Sequence, residues 1–219
     1  MQLTPEQIDA LFAFTRKRYV HWYDLQSELA DHLASRIEEE WVKDPSLSFD
    51  AALGKVYKAF GIFGFAHIVQ HKEAQLARSS RRLWWTSFRR YFGLPHIVGV
   101  IAALILTWQM AHALPAWINV VLMAAPYVYS EVRLIRLRRQ QRKRARPLLL
   151  LELSPLRFSA SFFFIQLASG IGNFSPGALV ILGVLSLLCT LINIASVAAH
   201  LQVQAEAERL YPEAFSVAG

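Results

Sequence analysis

Two pairs of residues have the spacing at which one helical turn presents two ligands to a metal ion: Glu28 with His32, and His67 with His71. Asp31 stands beside the first pair. Acids and histidines on a solvated helix face need no metal, and half-sites on two helices meet only where packing allows it. No metal and no other cofactor is therefore expected. A serine nucleophile is the second option, because Ser169 lies among the small residues Ala168, Gly170 and Gly172 in an apolar stretch. The residue two before it is Leu167 rather than a glycine, and His200 differs from Ser169 in depth by about 27 Å at ~1.5 Å per helical residue. Only His112 shares its depth. Ala168 and Gly172, like Ala195 and Ala199, are better used for close helix approach. No Walker loop, H-E-x-x-H pair, dinucleotide fingerprint or G-x-S-x-G elbow occurs. A non-enzymatic protein is expected.

Further polar candidates lie in apolar segments. Gln109, His112, Asn119, Gln166, Ser169 and Asn173 fall within roughly 12 Å of the outer ends of their segments, counting about 1.5 Å per residue. Polar groups are costly in lipid and often functional there, so the six could form one cluster. The simpler account makes the amides packing glue between helices.

These candidates are positioned by a chain of 219 residues whose charge is unevenly spread. Residues 1–74 carry 8 Lys or Arg and 11 Asp or Glu, whereas residues 75–147 carry 13 basic residues and one acid, Glu131. The basic residues flank apolar segments, which fits anionic lipid headgroups better than nucleic acid. Within the run RLIRLRRQQRKRAR, Arg133 to Arg146, eight of fourteen residues are basic. Short basic loops beside membrane spans stay on the cytoplasmic side, so this run orients the chain with both termini inside. The N-terminus lacks the pattern of a cleaved signal peptide, and the one cysteine, Cys189, allows no intrachain disulfide.

The expected elements follow from caps and periodicity. Thr4-Pro5-Glu6-Gln7 opens a first helix with an N-cap, a proline at the first position and a capping-box glutamine. Ile8, Leu11, Phe12 and Tyr19 share its apolar spacing, and the helix is expected to reach about Tyr19. A second helix, about 22–43, aligns Trp22, Leu25, Leu29, Leu33, Ile37 and Trp41 on one stripe, with Glu28, Asp31, Ser35 and Glu38 on another. Pro45 breaks it, Ser48 caps the third, and Gly61 ends that one. A fourth runs from about Ile62 towards Phe92. In it Arg78, Arg81, Arg82, Arg89 and Arg90 alternate with Trp84, Trp85, Phe88, Tyr91 and Phe92. Aromatic and arginine side chains suit the headgroup level, as do Arg138, Arg139, Arg142, Lys143 and Arg144.

The expected fold class is all-α, a cytoplasmic helical domain followed by four transmembrane helices in two hairpins. Its divisions are a helical domain at 1–74, a basic and aromatic arm at 75–93, a first hairpin at 94–135, a basic connector at 136–155, a second hairpin at 156–201 and a tail at 202–219. The third span, about 156–173, is the weakest because Arg157 lies near its start.

From Tyr23 to Gly61 the chain reads YDLQSELADHLASRIEEEWVKDPSLSFDAALGKVYKAFG. This resembles the HAAS-type helical domain of bacterial membrane proteins, at Glu28, Leu29, Asp31, His32, Leu33, Ile37 and Glu38, then Ser48, Phe49, Ala52, Leu53, Phe60 and Gly61. The resemblance covers about 40 residues. It implies a small cytoplasmic module, often paired genetically with PadR-like regulators or fused to permease-type membrane regions, and hence signalling or protein contact. The expected protein is a regulatory or scaffold subunit of the bacterial inner membrane. Glu28, Asp31, His32 and Glu38 are its candidate docking residues for a protein partner, and homo-oligomerisation is left open. The alternative is a small component of a transport or translocation complex, with the outer polar cluster lining a path.

Overall fold

The computed structural model describes residues 2–61, 63–155 and 175–216, and every regular element among them is helical. They divide into two compact units. The first holds the described parts of Met1–Ala77, Arg144–Leu153 and Ala207–Gly219, and the second those of Arg78–Lys143 and Ser154–Glu206.

The first unit begins with α1, Pro5–Lys17, whose Thr4 side chain accepts from Gln7 N while the Gln7 side chain accepts from Thr4 N. That capping box satisfies two N–H groups the first turn would otherwise leave open. The helix stops at Lys17, earlier than its apolar spacing predicts, and Tyr19 takes a left-handed φ of 66°. Tyr19 is consequently 82% exposed, and Leu11 and Thr15, not Ile8 and Tyr19, form the buried face.

Helix α2, Tyr23–Lys43, buries Leu25, Leu29, Leu33, Ile37 and Trp41 at the expected spacing. Helix α3, Phe49–Lys58, is capped by Ser48 accepting from Ala51 N. Gly61 and Gly64, with φ of 74° and 50°, then break the helix, so α4 runs over Ala66–Arg89 and starts later than Ile62. These helices enclose one core, joined by Val20, Phe65 and, from far along the chain, Leu149. Each fully buried Leu or Ile contributes roughly 1.5–3 kcal/mol by area removed from water. Leu149 belongs to α7, Leu149–Glu152, within the stretch 144–153 that counts with the first unit.

In the second unit α5 is His96–Ala113, α6 is Ala116–Arg142 and α8 is Pro176–Leu210. All three are long and apolar enough to cross a membrane. The expected third span lies outside the described residues. Helix α5 buries only Ala111 and exposes Val98, Ile101, Ile105, Leu106 and Trp108, a face that suits hydrocarbon. Helix α6 carries Pro126 in its interior and stays helical through Arg142, so most of the basic run is a helix end. Where α8 meets α5 and α6, a Cβ at Gly183 would sit 2.2 Å from Thr107 Cγ2 and 3.0 Å from Met123 Cε. Only glycine permits that approach.

Candidate functional site

The four candidate docking residues are all on α2 but do different things. Glu28 accepts an ion-paired hydrogen bond from Lys72 Nζ of α4 at 2.6 Å. Glu38 accepts from Leu3 N at 3.2 Å and so pins the N-terminal segment. Asp31 and His32 are exposed. Glu28 and His32 do come together with Arg36 around a cavity of about 220 Å³, whose remaining lining is Leu25, Leu29, Phe60 and Ile68. The arrangement is an apolar floor with a charged rim, the form that receives one apolar side chain of a protein partner.

Further along the same helix, Glu40 faces Lys43 at 2.7 Å and also pairs with Lys55. The hydrogen bonds from Lys43 and then Lys55 hold the Glu40 carboxyl down to about 2. His67 and His71 are both exposed, and among the described residues no three His, Cys, Asp or Glu side chains are grouped to hold a metal ion.

Sequence patterning gives no sign of the residue that organises the first unit. Asp24, 6% exposed at the start of α2, accepts from Leu149 N and Leu150 N, each at 3.0 Å, and thereby caps α7. Around it, Trp22 Nε1 donates to Glu152 at 2.6 Å, Tyr23 N donates to Pro147 O at 2.8 Å, and Tyr23 Oη donates to Glu213 at 3.1 Å. Burial first, and Glu213 after it, push the Tyr23 phenol up against an opposing effect of Arg146.

The expected headgroup residues divide in two. Arg78, Arg81, Arg82, Arg89, Arg90, Arg139, Arg142 and Lys143 are exposed, Arg138 is half-buried, and Trp85 is 52% exposed. Trp84 is half-buried: its Nε1 donates to Ser196 Oγ of α8 at 3.0 Å and its ring stacks on Phe88. Arg144 is half-buried too, lying over the Phe215 ring at 4.1 Å, where burial lowers its affinity for its proton.

The outer polar cluster is not assembled by its described members. Asn119 is buried and donates to Leu114 O and Pro115 O, holding the turn between α5 and α6. Gln109 is exposed, and His112 is exposed with its Nδ1 2.8 Å from Trp108 O. Gln166, Ser169 and Asn173 lie outside the described residues.

Among the described residues of the second unit, two buried polar groups are present. In the first, Asn193 Nδ2 of α8 donates to Ser130 Oγ at 2.9 Å and Glu131 Oε1 at 3.0 Å on α6, and Tyr127 Oη donates to the same carboxylate oxygen at 3.1 Å. Glu131 was legible as the lone acid of residues 75–147, and an ionisable group in an apolar helix is by default a functional candidate. In the second, His200 Nδ1 lies 3.0 Å from Ser154 Oγ, with Gln141 Nε2 3.2 Å from the same ring nitrogen. A Ser–His pair could do acyl-transfer chemistry, but Ser154 and His200 are 2% and 1% exposed, which leaves a substrate no approach. No protein-family model, no curated protein and no solved structure matches this chain.

Proposed function

We propose that the chain is a non-enzymatic regulatory or scaffold subunit of a membrane, which binds a cytoplasmic protein through its N-terminal helical unit and a membrane partner through its apolar helices. The α2 cavity carries this reading, because an apolar floor beneath a charged rim of Glu28, His32 and Arg36 has the form of a side-chain receptor. The basic residues at 75–90 and 133–146, against none in the turn at Leu114–Pro115, support an orientation with both termini cytoplasmic. The resemblance to the HAAS-type domain points the same way.

The buried Glu131–Asn193–Ser130 group favours a second reading, a small component of a transport or translocation complex. A carboxylate held between two apolar helices can carry a proton or a cation in such a role.

Deleting residues 1–74 is a poor test, since it would bare Leu149 and Leu151, which are 1% and 3% exposed in the intact unit. Charge reversal at the rim, H32D with R36E, leaves the core in place. Crosslinking and co-purification from native membranes should then lose the cytoplasmic partner while the protein stays folded and membrane-bound. An unchanged set of partners rejects the docking role of this cavity, and loss of ion or solute flux in E131Q would favour the second reading.

A further inference from the structure

We infer that the first unit contains a binding site for a phosphate ester, in a cavity between α1, the start of α2 and the segment 145–147. The cavity measures about 290 Å³ and is lined by Asp9, Phe12, Arg16, His21, Tyr23, Gln26, Ala145, Arg146 and Pro147. Of these, Arg16, His21 and Arg146 carry the cationic or ionisable nitrogens of the lining. They come from three separate stretches of chain.

The two arginines are held in place by aromatic and backbone partners that leave their charge uncompensated. Arg146 lies over the face of Tyr23, 4.8 Å from the ring centroid, and Phe12 stacks on Tyr23 with ring centroids 5.8 Å apart. Arg16 anchors its Nε to Phe12 O at 3.3 Å, which fixes its stem and leaves the terminal nitrogens for a ligand. Among the described residues neither arginine has a carboxylate within 4 Å, whereas Lys43, Lys55 and Lys72 of the same unit each do. Two arginines lining one space, each held by an aromatic or backbone partner and without a carboxylate within 4 Å, are suited to the oxygens of a phosphate, which accept forked hydrogen bonds.

The size and the rest of the lining define the ligand further. A cavity near 290 Å³ exceeds a bare phosphate and falls just below the usual range for small-molecule sites. Asp9 would repel an anion beside it but accepts a hydroxyl well, so the alcohol portion of the ester belongs on the Asp9 side. Phosphate and hydroxyls on a small polyol are common to a soluble sugar or glycerol phosphate and to a phospholipid headgroup. Because Arg146 follows four residues after the end of α6, a bound phosphate would tie the chain leaving that helix to α1. Occupancy of the site would thus stabilise the docked form of the connector.

The test uses the full chain in nanodiscs of phosphatidylcholine. Titration calorimetry with glycerol 3-phosphate, and separately nanodiscs doped with phosphatidylglycerol monitored by phosphorus NMR, distinguish the soluble from the lipid source. Saturable binding near one per chain in either arm is expected. It should weaken at least about tenfold for R16Q and again for R146Q, the loss typical of a charge-assisted hydrogen bond. K58Q, an exposed basic residue at the end of α3 outside both the cavity and the headgroup set, should leave it unchanged. If R16Q or R146Q does not fold, H21Q serves instead, and weaker binding is expected. No saturable binding in either arm, or binding indifferent to the cavity substitutions, overturns the assignment.

Discussion

Replacing Asp24 by alanine should release the connector from the first unit. Besides its neighbour Leu25 N at 3.1 Å, the carboxylate takes two backbone N–H groups of the connector, Leu149 and Leu150, at 3.0 Å each, and it does so at 6% exposure. A hydrogen bond to a charged group is worth about 1.5–3 kcal/mol net, so two of them put the loss near 3 kcal/mol at the lower end of that range. A difference of about 3 kcal/mol multiplies the open population of residues 144–153 by roughly a hundred. Leu149 and Leu151 remain apolar and keep some hold on the core, which makes the opening local rather than global. Limited trypsin digestion, with cleavage at the Arg144–Ala145 bond followed by mass spectrometry, reads that population directly when reclosing is faster than cutting. The D24A rate at this bond should rise by one to two orders of magnitude, with the D24N rate in between. A rise of less than about fivefold in D24A, with helicity unchanged, would refute the claim that this one carboxylate holds the connector.

Three further outcomes are expected. Tyr19→Gly should stabilise the first unit by about 1 kcal/mol in thermal unfolding, since a left-handed backbone costs an L residue roughly 1–2 kcal/mol and the exposed ring gives up little on removal. Gly183→Ala should lower the melting temperature in detergent through a net loss of about 1–2 kcal/mol. Thr107 Oγ1 is tied to Ala103 O at 2.8 Å, so the facing methyl cannot rotate away. Because the Glu40 carboxyl is held below its unfolded value of 4.5, its stabilising effect is present above that pH and is lost as pH falls from 4.5 through about 2. E40Q should flatten the pH dependence of unfolding in that window alone, and a steep acid limb surviving in E40Q would place its origin in other carboxylates.

What could be read in advance from the chain is local. The Thr4 capping box, the Ser48 cap, the glycine at 61 and the α2 stripe all depend on residues within a few positions of each other, and each forms as its spacing predicts. Tyr19 misled because its place in the apolar pattern said nothing about the left-handed backbone it adopts itself. Asp24 looked like any acid in a first helical turn, since its partners are 125 and 126 residues away. Trp84 carries the composition of an interfacial aromatic, and nothing local announces its hydrogen bond to Ser196. The outer polar cluster rested on equal depth, which is necessary for contact but does not specify helix rotation. Asn119 turns inward while Gln109 and His112 turn out.

Helix α8 runs unbroken for 35 residues, about 52 Å at ~1.5 Å rise, against a hydrocarbon layer of about 30 Å. It has no proline after Pro176 and no glycine after Gly183, so nothing along its inner two-thirds acts as a hinge. Such a rod is a lever. A change of about 10° in its tilt, the kind of adjustment a thicker or thinner bilayer imposes, swings one end by ~9 Å relative to the other. Were α8 set in a bilayer, a change in thickness would move residues 207–210, the end of the rod, relative to Pro176 at the other end.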